Sequence, residues 1–245
     1  MAMEHRATSG RRTRQPALPE FVGAVGVRKC CGLDEVGRGA LAGPLVAAAA
    51  ILPDDIRERL GPLARFLRDS KSVPRARRAD LAQALRAHAL AVELVVISVA
   101  EINAHGIGWA NRDAFRRLIA AIDADEYVVD GRVRPPAPFG RAHRVRCLVR
   151  ADTLIPAVSA ASLIAKDYRD RLMTELHARH PVFGWHTNVG YGTPEHLHGL
   201  RAYGACAEHR TVFVRTALGS PQAKTGAREG IHRRLADVAL PLGEE

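Results

Sequence analysis

The sequence predicts an α/β fold, a mixed β-sheet flanked by helices, on three observations. Short β-branched or alanine-rich runs alternate with longer stretches of helical periodicity. The first two strand-like runs are joined by turn residues alone and therefore pair antiparallel, whereas the later ones are separated by helices and are free to run parallel. The longest apolar run, Leu45 to Leu52, has strand length and falls far short of the roughly 18 residues that a membrane span needs.

Taken in order, the folded sequence begins near Phe21. A glycine-punctuated strand, Val25 to Leu33, leads into Asp34-Glu35. The turn Gly37-Arg38-Gly39 follows, then the strand Leu45 to Leu52, which Pro53-Asp54-Asp55 stops. Ser72 is placed to cap a helix from Val73 to about Ala89, with Leu81, Leu85 and Ala89 on one face. Val92 to Val99 reads as a strand. Ile102 to Ile122 reads as one helix, with Trp109, Phe115, Leu118 and Ile122 at helical spacing. Tyr127-Val128-Val129 makes a short buried strand that ends in Asp130-Gly131. A proline-rich loop (Pro135, Pro136, Pro138) separates it from the strand Arg144 to Val149, which ends near Asp152. A long helix runs from Ala157 to about His180, and a shorter one from Pro194 to Tyr203. The chain thus divides into a flexible basic arm over residues 1–20, a body over 21–218, and a loosely ordered tail over 219–245. No internal repeat is visible.

The 245 residues are 47% hydrophobic and 25% charged, which excludes a disordered chain. Lys+Arg 36 against Asp+Glu 26 gives a net charge of +10, pointing to a polyanionic partner. No basic amphipathic helix with an aromatic or leucine face is present, so nucleic acid is favoured over a membrane surface. The N-terminal arm carries Arg6, Arg11, Arg12 and Arg14 but no apolar core of a secretory signal. Cys30, Cys31, Cys147 and Cys206 show no CxxC spacing and read as buried reduced thiols, which suits a cytoplasmic protein.

In so basic a chain the placement of acids is informative. Asp34, Glu35, Asp130 and Asp152 each fall at or just beyond the carboxyl end of a predicted strand, and strand ends on one sheet edge converge. Four carboxylates brought together repel one another and tolerate ionisation only with compensating cations. Oxygen-only ligation selects hard ions, Mg²⁺ or Mn²⁺, rather than zinc. Two such ions stabilise the attacking and leaving oxygens in phosphoryl transfer, so the pattern fits metal-dependent cleavage of a nucleic-acid backbone. The same residues also fit a plainer role: Asp130-Gly131 as a turn, and Asp152-Thr153 as the cap of the following helix. Adjacent Asp34 and Glu35 face one site only if the strand breaks there, and Gly37 and Gly39 supply a break.

Around these acids the sequence resembles a known family. Cys31-Gly-Leu-Asp-Glu-Val-Gly-Arg-Gly-Ala-Leu-Ala-Gly-Pro-Leu-Val resembles the opening signature of type 2 ribonuclease H, ribonuclease HII. The resemblance continues through Asp69-Ser70-Lys71, Val128-Val129-Asp130-Gly131, Ala160 to Lys166 with Arg169-Asp170, and Gly190-Tyr191-Gly192-Thr193 with Glu195-His196. Five motifs in family order cover about residues 25 to 215. The resemblance implies a ribonuclease H-like mixed sheet flanked by helices, with a C-terminal helical extension. It implies that Asp34, Glu35, Asp130 and Asp152 are catalytic and hold two divalent ions, Mn²⁺ or Mg²⁺. At Asp152 the family glycine before the aspartate is replaced by Ala151. It implies that the backbone of Gly37-Arg38-Gly39 senses the 2′-OH at an RNA–DNA junction, where only a side chain-poor loop lets amides approach a ribose. Tyr191 corresponds to a tyrosine that packs on the junction sugar and base. Lys71, Ser162, Lys166 and Arg169 correspond to phosphate contacts, Lys166 and Arg169 sharing a helix face. Ser72 stands where the family commonly has a second lysine. The implied substrates are RNA–DNA hybrids and DNA duplexes containing ribonucleotides, cut 5′ to the ribonucleotide to leave 3′-hydroxyl and 5′-phosphate ends. One ion would activate the water and the other would stabilise the leaving oxygen.

Type 3 ribonuclease H shares the acids but carries a substantial N-terminal domain, and Gly37-Arg38-Gly39 favours type 2. A non-catalytic duplex binder would not need four acids. A transposase or resolvase of the same superfold would lack the glycine tripeptide and Gly190-Tyr-Gly-Thr. The tail segment Asp237–Leu242 resembles peptides that dock on the bacterial sliding clamp, with Asp237 where glutamine is usual.

Overall fold

The computed structural model describes residues 29–68, 73–132, 135–136 and 144–219. The expected arm, the strand start at 25–28, the Asp69-Ser70-Lys71 motif with Ser72, and all of the tail but Gly219 lie outside the described residues.

Five strands form one sheet in the order β3-β2-β1-β4-β5. They are β1 (Cys30–Val36), β2 (Leu45–Ile51), β3 (Ala91–Ile97), β4 (Glu126–Asp130) and β5 (Val145–Leu148). β1 pairs antiparallel with β2, and β2 with β3. β1 pairs parallel with β4, and β4 with β5. The sheet is therefore mixed, as expected, and the carboxyl ends of β1, β4 and β5 lie on one edge.

β2 is buried along its whole length because both faces of the sheet are covered. Its residues alternate between two cores, with the period of two that a pleated strand imposes. Leu45, Ala47, Ala49 and Ile51 face Phe115, Leu118 and Ile119 of α4 (Ile107–Ala121). Val46, Ala48 and Ala50 face Leu81 and Leu85 of α2 (Arg75–His88), and Ala160, Ala161 and Ile164 of the long helix α6 (Pro156–Arg179). Small residues on both sides let α6 approach the sheet closely. At Gly32 on β1 an added Cβ would lie 2.2 Å from the Ala157 carbonyl carbon and from the Val158 nitrogen, so strand and helix meet backbone to backbone. Each large apolar side chain fully buried here contributes roughly 1.5–3 kcal/mol.

β1 does not end at Leu33 or break at the acids but runs in regular register with β2 through Asp34 and Glu35 to Val36. Three other boundaries differ from expectation for identifiable reasons. The expected strand through Val99 stops at Ile97 because Ser98 caps α3 (Val99–His105) in a capping box with Glu101. The expected single helix over 102–122 is two, α3 and α4, broken at Gly106 with φ 82° and ψ 158°. α2 begins at Arg75 rather than Val73, since Pro74 holds the residue before it out of the helical region. The chain between β2 and α2 adds α1 (Ile56–Leu60) and a 3₁₀ helix (Gly61–Arg68), neither of which periodicity revealed. α6 lies within one residue of the expected limits at each end.

Beyond α6 come a 3₁₀ turn (Pro181–Phe183), α7 (Trp185–Asn188), α8 (Pro194–Tyr203) and α9 (Thr211–Ala217). They form the expected C-terminal helical extension around Phe183, Trp185 and Leu200, which pack on Leu41, Met173 and Leu176. The third core thus joins the extension both to α6 and to the loop after β1. Among the described residues, no helix is long and apolar enough to cross a membrane.

Candidate active site

The parallel half of the sheet delivers the acids. Asp34 and Glu35 come from the last residues of β1, and Asp130 is the last residue of β4. β5 ends at Leu148. Arg150 then takes the left-handed conformation, φ 61° and ψ 34°, as N-cap of α5 (Ala151–Leu154). Asp152 therefore sits just beyond the strand end, in the first turn of a helix rather than in a capping position, and it is 3% exposed. The Asp130 carboxylate accepts the Ala151 amide at 2.7 Å, which ties β4 to α5 and brings the third and fourth acids together.

All four carboxylates line one cavity of about 380 Å³. Ser162, Leu163 and Lys166 of α6 and Arg78 of α2 complete its wall. Burial and the neighbouring charges of Glu35 and Asp130 push the Asp34 carboxyl up to about 8, against hydrogen bonds from Ser162 and the Glu35 amide that favour its ionised form. Glu35 is also raised, first by burial and further by Asp130. Arg38 and Asn111 oppose that shift. A buried carboxylate held neutral by its neighbours is a group that a cation would ionise.

The donors available to an ion are all carboxylate oxygens, the set that suits Mg²⁺ or Mn²⁺. Among the described residues, no three His, Cys, Asp or Glu side chains are already gathered at ligating distance. The chemistry of the donor set thus fits a hard divalent ion.

Lys166 pairs with Asp170 at 2.5 Å, and Arg78 donates to the other oxygen of Asp170 at 2.8 Å. One buried carboxylate thereby aims two cations at the cavity. Arg78 and Asn111 were not among the sequence candidates. Helix-to-helix packing alone brings Arg78 here, and no local spacing signals it.

The glycine loop borders the acids. Gly37 has φ 85°, and Arg38 is exposed, with its guanidinium 3.9 Å from Glu35. A Cβ on Gly39 would touch the ring of Tyr191 at 4.0 Å, so the tripeptide and Tyr191, 38% exposed, form one surface. Lys71 lies outside the described residues.

Arg169 departs from the expected phosphate contact. It is fully buried, and its guanidinium donates to the carbonyls of Pro44 at 2.9 Å, Val189 at 2.8 Å and Ala42 at 3.1 Å. A Cβ on Gly37 would fall 2.1 Å from its Nε. Lys166 and Arg169 are near neighbours on α6, yet one reaches the cavity and the other supports the glycine loop from beneath. Arg210, also fully buried and absent from the sequence candidates, does the same by donating to Arg38 O at 3.1 Å and Gly43 O at 2.8 Å.

Comparison with known proteins shows the family. The family model described as Ribonuclease HII matches residues 31–217. The chain belongs to the ribonuclease HII family. It is 42% identical over 196 residues to the ribonuclease HII of Acidovorax sp. (strain JS42), covering 78% of this chain and 89% of that one. It is 40% identical over 196 residues to that of Thermosynechococcus vestitus, covering 80% and 88%. Among solved structures it resembles the ribonuclease H2 of Pyrococcus horikoshii OT3, with TM-score 0.64, 26% identity, and coverage of 77% and 96%. The ribonuclease HII of Archaeoglobus fulgidus, solved in complex with PCNA, matches with TM-score 0.64, 26% identity, and coverage of 80% and 98%. As a ribonuclease HII family member the chain is an endoribonuclease of the ribonuclease H type.

Proposed function

We propose that this ribonuclease H cuts the RNA strand of RNA–DNA hybrids and cleaves 5′ to ribonucleotides embedded in duplex DNA, leaving 3′-hydroxyl and 5′-phosphate ends. The observation that carries the reading is the convergence of four carboxylates from β1, β4 and α5 on one cavity in a chain of net charge +10. Asp34, Glu35, Asp130 and Asp152 would hold two divalent ions, Mg²⁺ or Mn²⁺. Bound there, such ions supply an activated water and neutralise charge on the leaving oxygen.

The protein's own groups do the rest. Ser162 orients Asp34 through its hydroxyl. Lys166 and Arg78, aimed by Asp170, meet the phosphate backbone. The Gly37–Gly39 backbone, bare of bulky side chains and propped by Arg169 and Arg210, offers polar groups to a 2′-OH, the one atom that separates RNA from DNA at this point. Tyr191 lies beside it to pack on the sugar.

The test is a duplex carrying one ribonucleotide, incubated with Mg²⁺, Mn²⁺ or chelator, with the cut position mapped. A metal-dependent cut 5′ to the ribonucleotide is expected. Cleavage at any other bond, or cleavage that survives chelation, overturns the reading.

A second reading concerns assembly. A relative is known as a complex with PCNA, and the tail Asp237–Leu242 resembles clamp-docking peptides, so this segment is proposed to bind the sliding clamp. Equal clamp retention by the full chain and by a form lacking its last ten residues would end the idea.

A further inference from the structure

The loop that presents Tyr191 is strained and then fixed from below. Val189, a β-branched residue, has φ 44° and ψ 36°, a left-handed conformation that its side chain disfavours. Such a conformation persists only where the surroundings over-determine it. Here the Val189 carbonyl accepts from Arg169 at 2.8 Å, and the Gly190 amide donates to Asn188 Oδ1 at 2.9 Å. The Gly190 carbonyl accepts the amides of Leu41 at 2.8 Å and Ala42 at 3.2 Å. The Tyr191 carbonyl lies 2.9 Å from His196 Nδ1.

His196 is fully buried, and its second nitrogen is equally engaged. Nε2 accepts from the Trp185 indole at 3.1 Å and lies 3.1 Å from Nε2 of His209, itself 2% exposed. His209 Nδ1 in turn accepts the Cys206 amide at 3.0 Å. One assignment of protons accommodates these contacts, with the lone pair of His196 Nε2 shared between two donors. Since the indole can only donate, His196 Nε2 must be bare, so His196 carries its proton on Nδ1 and donates to Tyr191. His209, whose Nδ1 is taken as acceptor, carries its proton on Nε2 and donates to His196. Both rings are neutral in this arrangement, in keeping with the burial that lowers both, His209 to about 4. Neither ring lines the acidic cavity, so neither moves a proton in the chemistry.

We propose that the His196–His209 pair is a positioning unit for substrate recognition: the Nδ1–H of His196 fixes the Tyr191 carbonyl, and with it the face that the Tyr191 ring presents beside Gly39. The inference rests on the reading of Tyr191 as the residue that packs on the junction sugar.

Two variants that differ only in where they offer a donor test it. His196→Asn places an amide N–H near the Nδ1 position, whereas His196→Gln reaches toward the Nε2 position and leaves the Tyr191 carbonyl without this donor. On a single-ribonucleotide duplex at saturating metal, His196→Gln should raise KM about tenfold with kcat little changed, the effect of one lost buried hydrogen bond. His196→Asn should recover most of that loss. In a Tyr191→Ala background the same Gln substitution should cost less than about twofold more, because the group it positions is gone. Melting temperatures of each variant show which are folded at the assay temperature. If both position-196 variants fail to fold, His209→Gln, which keeps a donor toward His196 Nε2, is compared with His209→Leu, which removes it; only the Leu variant should raise KM. Equal KM values within the pair used, or a Gln penalty that adds in full to that of Tyr191→Ala, overturn the positioning role. A Tyr191→Ala enzyme as active as the parent would instead overturn the reading of Tyr191, and the proposal with it.

Discussion

Asp130→Asn is the substitution that separates chemistry from architecture most cleanly. In the folded chain Asp130 Oδ1 accepts the Ala151 amide at 2.7 Å, the bond that holds β4 to the turn carrying Asp152. Asparagine is isosteric and keeps a carbonyl oxygen for that amide, so the fold should be retained. It removes one negative charge from a group whose mutual repulsion, together with burial, raises Asp34 and Glu35. Metal-free stability should therefore hold or rise. The alanine variant, in contrast, leaves the Ala151 amide without this acceptor and should lose about 1–3 kcal/mol. Activity should move the other way. Losing one charged ligand where charge develops costs about 3–4 kcal/mol of barrier, or roughly 10²–10³ in rate. The assay is single-turnover cleavage of a duplex with one ribonucleotide at saturating Mg²⁺, beside thermal melts in chelator and a binding titration with uncleaved duplex. Duplex affinity should be largely intact. A parent-like cleavage rate for the asparagine variant would refute the ligand role. A melting temperature that falls as far for asparagine as for alanine would refute the account of the Ala151 bond.

Four further outcomes are expected. Gly37→Ala, at φ 85° with its new Cβ 2.1 Å from the immobilised Arg169 Nε, should cost about 2–4 kcal/mol in a urea melt. Arg38→Ala should change cleavage by less than about threefold, since its side chain is exposed and it is the backbone that offers recognition groups. Arg78→Ala should weaken binding to all duplexes alike and reduce the slope of log affinity against log salt by about one, read from titrations at several salt concentrations. For pH, His209 is lowered by burial, by His196 and by His180, with Cys206 and, beyond His196, Glu195 as the other titratable groups around the pair. A depressed histidine binds its proton more readily unfolded, so its contribution is whole above 6.5 and is lost as pH falls toward about 4. At most about 3 kcal/mol is involved. Melts from pH 7 to pH 4 should show a shallower loss for His209→Gln than for the parent, and parallel curves would contradict the assignment.

The acids, the sheet and the long helix were legible because each rests on local pattern. Strand-ending acids before Gly37 and Gly131 mark one sheet edge, and α6 runs from Ala157 to Arg179 with no glycine or proline to break it. Gly106 escaped notice because apolar spacing continues through it, although Ser98-x-x-Glu101 already announced a separate helix start. Asp152 was read as lying at or just beyond a strand end; the short helix that carries it, begun where Arg150 turns left-handed, is visible only in the tertiary structure. Arg169 was misread for a deeper reason. An arginine near a lysine on a helix looks like a phosphate clamp until the loop carbonyls of Ala42, Pro44 and Val189 are seen to surround it. Arg78 and Arg210 were invisible for the same reason, since their partners lie 92 and 167 or more positions away.

The backbone-to-backbone seam at Gly32 bears on how this enzyme can be altered. Two residues downstream of it stands the first acid, and across it the same helix carries Ser162 and Lys166. With no side chain between the two elements, their spacing has no adjustable shim: even one methyl group would have to prise the helix away by more than an ångström, widening the catalytic gap itself. Attempts to retune the enzyme for colder or hotter work therefore belong on the far face of the sheet and in the connecting segments, where spacing can yield without moving the chemistry.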